Sequence, residues 1–200
     1  MAWKPDYLTL AEAKAYLRIA DTVDDAELAV AITAVSRLID TSCNRQFGSL
    51  AAPAARTYRR PPLLNQDSGL WELEIDDVQS ATGLLVNGVA YASSGAILLP
   101  DNAPADGLPW TRIATTVWPI ASYPGAPVSN VITAAWGWTA FPGVVPMAAR
   151  LQLGRLGFRR DAPQGVAGSP DQGSEIRMLA KLDPDVIKLL GVVRRRRRAA

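Results

Sequence analysis

The chain has 200 residues, 48% of them apolar and 20% charged, enough for a sizeable core and too apolar for wholesale disorder. It has no histidine and a single cysteine, Cys43, which excludes a Ser-His-Asp or Cys-His relay, an imidazole-ligated metal, a zinc knuckle, an iron–sulfur cluster and a disulfide within the chain. The formal charge of +2 comes from 21 basic and 19 acidic residues; without a terminal run of five arginines the balance is 16 against 19, a mildly acidic body with a basic end.

Residues 1–6 lack a charged start followed by an apolar core, so no secretory leader is expected, and one cysteine suits a reducing compartment. In LTLAEAKAYLRI, Thr9 and Glu12 have capping-box spacing, and Leu10, Ala13 and Leu17 share a helical face. In DDAELAVAITAVSRLIDTSC, Asp24 and Glu27 make a second box-like start, and Leu28, Ile32, Val35 and Ile39 recur at helical spacing with Leu38 beside them. Helices are expected over about 10–18 and 24–43, packed side by side through a short loop, with Cys43 a small apolar residue at a helix end.

After Ser49 the character changes. AAPAA reads as a linker, and strand signals run from Arg56 to Trp138. In WELEID, Trp71, Leu73 and Ile75 alternate with Glu72, Glu74 and Asp76, the pattern of a half-buried strand. Asn87-Gly88 is a two-residue hairpin turn that would pair Val86 with Val89 and Leu84 with Tyr91. AILLP, TRIATTVWPI and VSNVITAAWGW are further strands, separated by the turn-rich PDNAPADGLP. No charge occurs between Arg112 and Arg150, but prolines and glycines interrupt the stretch, which is not the pattern of a membrane-spanning helix.

Helical signals return in FPGVVPMAARLQLGRLGFRRD. The helix is expected to start near Pro142 and end near Arg160, with Met147, Leu151, Gly154 and Phe158 on one stripe and Arg159 and Arg160 at the negative pole of its dipole. Gly154 and Gly157 each cost about 1 kcal/mol relative to alanine inside a helix, which makes sense if another backbone approaches closely, from this chain or a neighbouring subunit. APQGVAGSPDQGSE is a loop by composition. The last helix opens at Asp183 as cap, Pro184 at its first position and Asp185 at its positive pole, and buries Val186, Leu189, Leu190 and Val193.

The fold class is therefore α+β. A bundle of about four helices, from residues 1–50 and 142–193, carries an inserted small antiparallel β domain over 56–138, and residues 194–200 form a basic tail. The carboxylate pairs do not suggest an enzyme. Asp24-Asp25 sits at a helix start, where capping is the simpler role, and the strand neighbours Asp76 and Asp77 face opposite sides. No phosphate-binding loop or dinucleotide fingerprint is present, and no metal or cofactor is expected.

The basic run comprises Arg194, Arg195, Arg196, Arg197 and Arg198. On a helix each step turns about 100°, so five in a row would point all around rather than make a stripe. An extended tail is the better reading. It either stays solvated or contacts a polyanion, DNA or an acidic protein surface, since the guanidinium fork suits phosphates and carboxylates alike. Tails repeated around an oligomer would act together.

Four pieces in register carry a family likeness: the opening helix pair, the Trp136-Gly-Trp138 strand, the proline-started helix at Pro142, and the closing LDPDVIKLLGVVRRRRR. Together they resemble the head–tail connector, or adaptor, proteins of tailed bacteriophages and gene transfer agents. The resemblance implies a catalytically inert virion protein, assembled in the bacterial cytoplasm, with no membrane partner. It implies a ring, usually twelvefold, beneath the portal protein at the neck, which extends the DNA channel and presents a surface to the stopper or tail. It implies further that the arginine tail touches the portal or the DNA, the portal being preferred, and that Trp136, Trp138, Pro142, Gly154 and Gly157 serve packing or subunit contact, with core packing favoured for the two tryptophans on one strand face with Ile132 and Ala134. The competing readings are another neck ring, a stopper or tail terminator, and a nucleic-acid-binding module that uses the tail directly.

Overall fold

A computed structural model describes residues 3–118, 128–161, 166–167, 176–177 and 182–195; the side chains of 158–161, 166–167 and 176–177 are outside that description. The end of the expected strand TRIATTVWPI, most of the loop APQGVAGSPDQGSE, the side chains of Phe158, Arg159 and Arg160, and Arg196, Arg197 and Arg198 thus lie outside the described residues. The chain forms two compact units, one of residues 1–4 and 47–140, the other of 5–46 and 141–200. The fold is α+β.

The helical unit is built from α1 (Leu10–Leu17), α2 (Asp25–Cys43), α4 (Val144–Asp161) and α5 (Pro184–Leu190), with a short ribbon of β8 (Val166–Ala167) and β9 (Ile176–Arg177). Both arms of the capping box at α1 are present: the Glu12 N–H donates to Thr9 Oγ1 at 3.2 Å and the Thr9 N–H to Glu12 Oε2 at 2.9 Å. The Thr9 N–H and then the Thr9 hydroxyl, which donates to the same Oε2 at 2.8 Å, backed by Arg150, hold the Glu12 carboxyl below the usual carboxylate range. At α2 the box-like start does not form; Asp24 is the N-cap residue but its side chain makes no capping bond. Burial follows the spacing read from the sequence, with Leu28, Ile32, Val35, Ile39 and Cys43 all inside. Asp183 caps α5 by accepting the Asp185 N–H at 2.9 Å and holds Arg155 Nη1 at 2.8 Å; these two bonds, in that order, depress its pKa.

Helix α4 departs from its expected stripe. Val145, Ala148, Ala149, Gln152 and Leu153 are buried, whereas Met147 is exposed and Leu151 half-buried. The residues that pack are smaller than the ones that look hydrophobic, because α4 lies closely on α2 and α5 and alanines permit the approach. The helix begins at Val144, two residues past Pro142, whose carbonyl accepts the Val145 N–H at 2.9 Å.

The other unit is one antiparallel sheet of β1 (Ala54–Tyr58), β2 (Leu63–Asn65), β3 (Leu70–Val86), β4 (Val89–Ala90), β5 (Ile97–Leu99), β6 (Trp110–Thr115) and β7 (Asn130–Trp136), with the one-turn helix α3 (Tyr91–Ser94) after β4. The main order is β1-β7-β3-β6-β5, with β2 and β4 also on β3. Two stretches that look like separate strands, WELEID and LLV, are one 17-residue strand, β3. Register shifts between Glu74 and Leu85 bend it, so that its first half pairs mainly with β6 and its second with β7.

Two details differ from the sequence pattern. The Asn87-Gly88 turn pairs Val86 with Val89 and Leu85 with Ala90, but Tyr91 starts α3 instead of pairing with Leu84. In WELEID, Leu73 and Ile75 are buried, but Trp71 is 39% exposed and pairs across the strand with Leu64, itself exposed. Glu72, expected on the wet face, is buried; Arg112 Nη1 and Asn65 Nδ2 each donate to it at 2.7 Å. The core gathers Leu73, Ile75, Val78, Leu84, Ile113 and Trp136 with their neighbours.

Candidate functional site

The Trp136-Gly137-Trp138 segment closes the sheet unit. Trp136 ends β7 fully buried, and its indole N–H donates to the Ala54 carbonyl at 2.6 Å. The Arg56 guanidinium lies between two rings, 4.6 Å from the Trp136 centroid and 4.2 Å from that of Trp3, and donates to Asp76 Oδ2 at 2.8 Å. Tyr58 also donates to Asp76, at 3.1 Å; burial first, then the adjacent Asp76 charge, pushes its hydroxyl pKa up. Trp138 does not continue the strand face of Trp136. Gly137 has φ 113°, which swings the next side chain away, and Trp138 packs on Phe47 at 5.2 Å between centroids while its N–H donates to buried Asp77 Oδ2 at 2.9 Å. Both carboxylates of the Asp76-Asp77 pair thus hold core groups. Among the described residues no three of histidine, cysteine, aspartate and glutamate converge as metal ligands would, and no helix is long and apolar enough to cross a membrane.

In the helical unit no backbone among this chain's described residues approaches the two α4 glycines. A β-carbon at Gly154 would meet only side-chain atoms, Tyr16 Cε1 at 3.5 Å and Leu17 Cδ2 at 4.0 Å, and one at Gly157 would meet nothing within 4 Å. They border an open cleft of about 630 Å³ between α4 and the α1–α2 turn. Its floor is apolar, with Leu17, Leu28 and Leu153, and its rim carries Asp21, Asp24 and Glu27 against the single cation Arg18. Sequence spacing singled out the glycines but gave no sign of the cleft, because its walls come from segments more than a hundred residues apart.

The start of the basic run is pinned. The Arg195 N–H donates to the carbonyl of Cys43, the last residue of α2, at 2.9 Å, and Asn44 Nδ2 donates to the Arg195 carbonyl at 3.5 Å. Arg195 is 7% exposed, so it is not part of a free tail; Arg194 beside it is exposed. Val193 is buried, whereas Val192 is 78% exposed.

Cys43, under this clasp, is fully buried. Desolvation, opposed by Arg45, raises its thiol pKa from 9.0 to about 11. A raised pKa means the native state holds the proton more tightly, so this stabilising contribution is whole below about pH 9 and is lost as pH rises through about 11. Two pH units correspond to about a hundredfold less thiolate. Iodoacetamide at pH 8 is therefore expected to leave the native chain unmodified while labelling the denatured chain at once, as followed by mass spectrometry; equal rates would show that the clasp does not shield Cys43.

No family model matches the chain, and no curated protein matches its sequence. Its fold is similar to that of a chain in a solved structure, the neck of an empty gene transfer agent (GTA) particle computed with C6 symmetry. The two share 19% identity with a TM-score of 0.55, over 100% of this chain and 95% of that one.

Proposed function

We propose that this protein is a structural subunit of a virion or gene transfer agent neck, a head–tail connector of the adaptor kind. It assembles into a ring, of about twelve copies by family resemblance, beneath the portal, leaves an axial passage for DNA and offers its far side to a stopper or tail protein. The observation that carries this reading is the end-to-end likeness in fold to a chain from a particle neck. The side chains are in keeping with it: the carboxylate pair in the sheet is engaged in packing.

The test is a mass measurement on the purified chain, alone and mixed with the portal protein of the same particle, followed by electron microscopy of particles. The expected result is a single closed ring on the portal and density for this chain between capsid and tail. Particles that assemble a complete neck without it would overturn the reading.

A further inference from the structure

We infer that the cleft bordered by Gly154 and Gly157 receives the C-terminal segment of a second copy of this chain. Val192 of that copy lies on the apolar floor, and its arginines meet Asp21, Asp24 and Glu27 on the rim. The inference rests on the ring reading and deepens it, and it moves the basic end from the portal contact implied by family resemblance to a contact inside the ring.

The two surfaces match in chemistry. The cleft offers Leu17, Leu28 and Leu153 below three carboxylates and one arginine. The segment offers exposed Val192, two residues before a run of five arginines of which Arg195 is held by its own copy, the only concentrated positive charge in an otherwise acidic chain. Guanidinium groups pair with carboxylates through two parallel N–H bonds, and at the edge of an apolar floor such pairs are partly shielded from water. The bare α4 surface at Gly157 leaves room for an incoming side chain.

Reach decides between a copy's own cleft and its neighbour's. Arg195 is tied to Cys43, at the C-terminal end of α2. The acidic rim is at the other end, where Asp24 caps α2 and Glu27 occupies its first turn. A helix of 19 residues is about 28 Å long at ~1.5 Å per residue. The three arginines after Arg195 extend at most about 11 Å, at roughly 3.5 Å per residue. A chain therefore cannot place its arginines on its own rim. Donor and acceptor at opposite ends of one helix make a head-to-tail contact, and such contacts propagate from copy to copy until a rotation closes them into a ring.

The test uses a fluorescent peptide of residues 191–200 and the chain truncated after Arg195, which keeps the Cys43 clasp. Fluorescence anisotropy should show saturable binding that weakens as salt rises. Binding should fall at least about tenfold, one unit of log Kd, when Glu27 is changed to lysine, when Gly157→Trp fills the cleft, or when the peptide arginines become serine. Gly157→Trp has open space for its ring, and an unchanged thermal melt confirms its fold; Asp21→Lys, in an exposed turn, gives an independent charge reversal. Binding indifferent to these changes, or a peptide that binds duplex DNA and not the truncated chain, overturns the inference. Rings that form on the portal from the truncated chain as readily as from the full one also overturn it while leaving the proposed function intact. Peptide binding with no ring on the portal would instead sink the proposed function and keep the contact.

Discussion

Gly137→Ala is expected to lower the unfolding free energy by about 4 kcal/mol, the sum of a strained backbone and a forced overlap. Gly137 holds φ 113°, a region that side chains rarely enter. A β-carbon there would lie 2.0 Å from the Gly48 carbonyl oxygen and 2.6 Å from Ser49 Cα, both backbone atoms. Neither can swing aside, because three bonds fasten the crossing: Trp138 N–H to Gly48 O at 3.0 Å, Leu50 N–H to Trp136 O at 2.9 Å and Gly137 N–H to Asp77 O at 2.7 Å. Gly88→Ala is the control. It has φ 82° and nothing within 4 Å of its β-carbon, so it should cost only about 1 to 2 kcal/mol. Urea denaturation of the full chain, read as a change in midpoint at constant slope, separates the two. Equal losses would mean that the close passage at Gly48 contributes nothing.

Trp136→Ala is expected to cost about 4 kcal/mol, the range for removing a large aromatic from a core. The side chain is wholly buried, its N–H is bonded to the Ala54 carbonyl, and the Arg56 guanidinium rests on its face. Trp136→Phe should keep most of the packing and lose about 1 to 2 kcal/mol with the orphaned carbonyl. The pair of variants also decides between core and subunit contact. A Trp136→Ala chain that unfolds normally but fails to form rings would assign this residue to an interface, against its complete burial within one subunit.

Periodicity revealed the elements whose apolar faces are made of large residues. Leu28, Ile32, Val35 and Ile39 on α2, and Val186, Leu190 and Val193 at the C-terminus, are inside as their spacing demands. It misread α4, where alanines and Gln152 face inward and Met147 outward, because close helix packing selects for small side chains and hydropathy ranks them below methionine. It also divided β3 in two. The residues between Glu74 and Leu85 resemble a connection, and their bulges leave no signature except Gly83 at φ 71°. Trp136 and Trp138 stood out for their spacing, but the alternation rule put them on one face, and only the positive φ of Gly137 separates them. Of the basic run, sequence showed the charge and not the anchor, since the Cys43 carbonyl that holds Arg195 carries no side-chain signal.

Trp3 has a consequence for how the molecule is made. Its ring centroid lies 4.2 Å from the Arg56 guanidinium, which is also 4.6 Å from that of Trp136. In chain order Trp3 precedes the whole α1–α2 pair, yet its seat exists only once Trp136 has been made. Trp3 thus docks late, a long-range closure of the sort that slows folding.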